Sequence, residues 1–74
     1  MTPAAKSFTE RTIQAFSGLL ALATDRLAVA VELAGKDDLE GAVAELRQAA
    51  ALAHASADGA TNLACTLDAE RVRP

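Results

Sequence analysis

The sequence predicts an all-α fold, an antiparallel helical hairpin. Three observations carry that expectation. The composition is rich in alanine and leucine, with 19 and 10 residues, and nearly empty of aromatics, with only Phe8 and Phe16. That mix favours helix over strand. Two long stretches place apolar residues at alternating spacings of three and four, the signature of one face of a helix. A short polar connection separates the stretches, and short connections between long helices make them antiparallel neighbours.

The first helix is expected at 8–34. Ser7-Phe8-Thr9-Glu10 has the pattern of a capping box, in which Ser7 accepts from the amide of Glu10 and the Glu10 carboxylate answers the amide of Ser7. Behind it, Ile13, Phe16, Leu20, Ala23, Leu27, Ala30 and Ala34 form one apolar seam. Leu19, Leu22, Val29 and Leu33 widen it on its flanks.

Gly35 then suits the left-handed position that follows many helices. Asp37-Asp38-Leu39-Glu40 offers a second capping box, with Asp37 as cap and Glu40 closing it.

The second helix is expected at 38–71. Its seam is Leu39, Val43, Leu46, Ala50, Ala53, Ala57, Ala60, Ala64 and Leu67, a repeat of 3.5 residues whose centre is all alanine. Small side chains let helices approach toward the low end of the ~8–10 Å interaxial range. Gly59 is the one weak point, a bend or a break into a third helix. The seam passes through it without losing phase, which favours a continuous helix.

Residues 38–49 also resemble the start of the second helix of a tetratricopeptide repeat, with Ala42, Leu46 and Ala49 as its small, large and small positions. The likeness spans that segment alone. The first helix is about twice too long for such a repeat and no second copy follows, so no function is carried over.

One domain, 1–74, is expected, with 1–6 and 72–74 as flexible ends. A chain this short buries little surface. Its single cysteine, Cys65, rules out an internal disulfide. Alanine burial contributes little at ~25 cal/mol per Å², while ordering the backbone costs ~1–2 kcal/mol per residue. Association is the remaining route to stability, so two hairpins are expected to dimerise to a four-helix bundle.

Charge and chemistry narrow the function. Between Asp37 and Glu70, seven acids face one base, Arg47. That half repels phosphate backbones and anionic lipid, so nucleic acid is a disfavoured partner and a membrane is not expected. Apolar runs such as Leu19 to Ala23 are far too short to span a bilayer, and a cytoplasmic protein is expected.

His54 and Asp58 can meet on one helix face, but two ligands do not fix a zinc ion. Cys65 is about 16 Å along the helix from His54, at ~1.5 Å per residue, too far for a nucleophile pair. The paired acids Asp37 and Asp38 are explained by capping, and Asp68 and Glu70 lie near a chain end.

No catalytic residue, cofactor or metal site is read, and a non-enzyme is expected. The leading function is a helical protein–protein interaction module, homodimeric. The alternatives are an accessory or chaperone-like subunit folding against a larger protein, a nucleic-acid-associated regulator, and a ligand- or metal-binding bundle.

Overall fold

The computed structural model describes residues 2–72. They form a two-helix hairpin, α1 at Pro3–Gly35 and α2 at Leu39–Arg71. Each helix has 33 residues, about 50 Å of rod at ~1.5 Å per residue. The second helix runs through Gly59 without a break, as the unbroken phase of its apolar residues predicts.

Both expected caps are displaced. The helix α1 starts five residues earlier than expected, and residues 3–6 form its first turn. Thr2 is its cap, with its hydroxyl accepting from the Ala5 amide at 3.1 Å, and Pro3 opens the first turn. Proline suits that position because its missing N–H would have no helical partner there. Ser7 and Glu10 therefore lie inside the helix on exposed surface, and the capping box read at Ser7 is corrected.

At the connection, Gly35 is the last helical residue and does not take a left-handed conformation. Asp37 does, at φ 60°. The amide of Asp38 donates to the Leu33 carbonyl at 2.9 Å and that of Asp37 to the Ala34 carbonyl at 3.1 Å. These paired bonds close the helix end as a Schellman motif, with an aspartate where glycine is usual. The cap of α2 moves one residue along, to Asp38, whose carboxylate accepts from the Gly41 amide at 3.0 Å. Glu40 sits in the first turn, where its charge meets the positive end of the helix dipole. Val72 follows α2 as its C-terminal cap, and 73–74 lie outside the described residues.

The two rods form one layer. The backbone measures 59 × 18 × 11 Å, with a radius of gyration of 17.0 Å. A compact chain of this length would have a radius near ~11 Å. Between the helices lies a narrow core: Ala23 and Ala30 from α1, and Ala42, Ala49 and Ser56 from α2. Among the described residues, no large side chain is fully buried.

The contact stripe sits one residue away from where the α2 periodicity placed it. On α2 it runs through Ala42, Glu45, Ala49, Leu52, Ser56, Gly59 and Leu63. On α1 it runs through Thr12, Phe16, Leu19, Ala23, Arg26, Ala30 and Leu33. Phe16, Ala23 and Ala30 thus belong to both the expected and the observed stripe. Small residues recur every seventh position on both helices. They are the residues that let two backbones lie close without a third element between them.

Candidate functional site

The register of the pair is set near its middle. The Ser56 hydroxyl donates to the Phe16 carbonyl at 3.0 Å across the helix interface. One turn further along α2, the Phe16 ring lies against Gly59 so closely that a Cβ there would run into the ring. Stepping seven residues in opposite directions from the Phe16–Ser56 pair sets Ala23 opposite Ala49 and Ala30 opposite Ala42. These four alanines are the buried apolar residues of the interface, each 4–6% exposed.

That register leaves the apolar residues of the expected seams side by side on one face of the hairpin. Ile13, Leu20, Leu27 and Val31 flank the contact stripe of α1, and Leu39, Val43 and Leu46 flank that of α2. All seven are exposed, from 44% at Val43 to 74% at Val31. The same face continues along α2 as a row of small residues, Ala50, Ala53, Ala57, Ala60 and Ala64, with Leu67 half-buried at its end. Toward the open end, a shallow apolar groove lies between Ile13, Phe16 and Leu20 on one side and Ala60, Ala64 and Leu67 on the other.

None of the residues named on this face, from Ile13 to Val31 and from Leu39 to Leu67, is charged. Arg26 Nη1 meets Glu45 Oε2 at 3.3 Å along the opposite edge. With the Arg26 side chain 42% exposed, this pair contributes only about 0.5 kcal/mol.

The polar candidates are scattered. His54 Nε2 is 3.3 Å from Asp58 Oδ2, both exposed and directed away from α1. Cys65 is exposed on the outer side of α2. Asp68 pairs with Arg71 at 2.7 Å. Among the described residues, no group of three or more His, Cys, Asp or Glu side chains gathers around a point that could hold a metal ion. No helix is long and apolar enough to cross a membrane, among the same residues.

The sequence reading placed none of the α2 contact stripe in its seam, Ala42, Ala49 and Ser56 included, and it also missed Thr12 and Arg26 on α1. Ala42, Ala49 and Ser56 are small residues seven apart. Ala50, Ala57 and Ala64 are small and seven apart as well, so side-chain size by itself does not choose between the two stripes.

The fold and its surfaces define an all-α helical hairpin that exposes seven large apolar side chains on one face, with Phe8 and Leu22 exposed on the other. Comparison with family models, with curated proteins and with solved structures finds no match.

Proposed function

We propose that this hairpin is a non-enzymatic protein–protein interaction module whose working surface is its apolar face. One observation carries the reading: seven large apolar side chains stand exposed on the same side of a single helical layer. Domains normally bury such a face against a second layer, and patches of this extent on a lone chain mark interaction sites. A narrow core of alanines and one serine gives the chain little reason to stand alone.

The occupant that fits is itself helical, since a flat apolar layer about two helices wide pairs best with another such layer. The acidic surface from Asp37 to Glu70 argues against nucleic acid and anionic lipid as occupants.

The test replaces Leu20, Leu27 and Leu46 together by serine and compares thermal melts by circular dichroism with sedimentation. Melting that depends on association, with association lost in the triple variant, supports the reading. A wild-type chain that melts in a sharp transition independent of concentration, unchanged by the three serines, overturns it.

A second reading rests on the absence of any fully buried large side chain among the described residues. It makes the chain an accessory subunit that orders only against a larger protein. A broad melt for the isolated chain, sharpened by a stoichiometric co-purifying protein, distinguishes this reading from self-association.

A further inference from the structure

We propose that the occupant of the apolar face is a second copy of this chain, stacked with its connecting loop at the opposite end. The inference rests on the interaction-module reading and adds the partner and its orientation.

Area points to the partner. The chain exposes 5575 Å², whereas a compact monomer of 7.6 kDa would expose about 4300 Å². The difference exceeds the ~800 Å² that each partner contributes to a standard interface. Covering one face of the layer with an equal layer removes area on that scale and leaves a two-layer, four-helix body. Charge allows the same pairing. Each copy carries a net charge of -3, yet the apolar residues named on this face carry none, so two like copies meet where repulsion is small.

Shape gives the orientation. The half of the face nearest the loop is raised by bulky side chains: Leu27, Val31, Leu39, Val43 and Leu46. The open half is low on its α2 side, where Ala57, Ala60 and Ala64 border the groove beside Phe16. A two-fold axis crossing the helices near Leu20 and Ala53 lays the raised half of α2 in each copy over the low half of α2 in the other, with α1 against α1 at an even spacing along its length. Leu46 of one copy then meets Ala60 of the other, Val43 meets Ala64, Ile13 meets Leu27, and Leu20 meets itself. The patch is self-complementary, as a two-fold interface requires. The alternative axis, along the helices, puts both loops at one end. It sets Leu46 over Leu27, bulk over bulk throughout the loop half, while the open half sets Ile13 and Leu20 over the small Ala60 and Ala53, so the two layers would splay apart toward the loop end.

The test uses the full chain with Cys65 replaced by serine, single cysteines added, and a short bifunctional maleimide. Helical content of each variant is checked first by circular dichroism; the added positions are exposed, which spares the alanine core. Leu46→Cys mixed with Ala60→Cys is expected to give a cross-linked dimer several-fold faster than Leu46→Cys alone, and Leu20→Cys is expected to cross-link to itself. Preferential cross-linking of Leu46→Cys with Leu27→Cys on separate chains overturns the orientation. A wild-type chain that sediments as a monomer at high micromolar concentration overturns the second copy. If its melt is then broad, the interaction-module reading survives with another protein as occupant; if it is sharp and indifferent to the serine variant, that reading fails as well.

Discussion

The Ser56 hydroxyl donates to the backbone carbonyl of Phe16 at 3.0 Å, tying the two helices together across 40 residues of sequence. Ser56 is 3% exposed, and among the described residues it is the polar member of a buried set otherwise made of alanine. Ser56→Ala keeps the volume small and removes only this bond. We expect a loss of about 1 kcal/mol, read as a lower midpoint in urea with the slope unchanged. An unchanged midpoint would show that the bond does not help to hold the register.

Gly18 and Gly59 should answer the same substitution with opposite signs. A Cβ at Gly18 meets nothing within 4 Å, so Gly18→Ala gains helix propensity and stabilises by about 0.5–1 kcal/mol. A Cβ at Gly59 collides with the Phe16 ring. Gly59→Ala therefore destabilises in spite of the same propensity gain, by about 1–2 kcal/mol. Thermal melts of both variants check the contrast. Equal rises in Tm would mean that the ring moves aside freely.

The connection gives a pair of neighbours with opposed roles. Asp37 holds φ at 60°, a conformation that glycine adopts at less cost. Asp37→Gly should stabilise by about 0.5–1 kcal/mol. Asp38 caps α2 through the Gly41 amide, so Asp38→Ala should cost about 1 kcal/mol. Chemical denaturation of the two single variants separates the roles, and a larger loss at Asp37 than at Asp38 would contradict the cap assignment.

Ala49 and Ala51 test the closeness of the rods. Ala49 is 4% exposed between the helices, and Ala51 is exposed on the outside. Ala49→Leu forces a large side chain into the closest contact and should cost about 1–3 kcal/mol. Ala51→Leu should stay within ±0.5 kcal/mol. Similar midpoints for both would mean the helices are not held by close small-residue contact.

Much of the candidate surface was legible before any coordinates. The periodicity groups Leu46, Ala53, Ala60 and Ala64 as one stripe of α2, and Ile13, Leu20 and Leu27 as part of one on α1, and in the structure these flank the contact stripe instead of forming it. What the sequence left open was the direction in which each stripe points. Two stripes with the same 3.5-residue repeat run side by side on α2, one through Leu39, Val43 and Leu46, the other through Ala42, Ala49 and Ser56. Apolarity favours the first stripe. Close approach of two rods favours the second, and only the fit between Phe16 and Gly59 shows that close approach prevails.

Composition, periodicity and the polar connection by themselves determined two long helices, a continuous α2 through Gly59 and an antiparallel hairpin. Those features depend on backbone propensity and local spacing, which each segment carries within itself. The tertiary structure alone decided the rotation of each rod, the choice of Asp37 for the left-handed turn, and the Arg26–Glu45 and Ser56–Phe16 contacts. Those depend on how two surfaces fit, and a one-residue rotation of about 100° leaves the period of a helix unchanged while replacing every side chain at its interface.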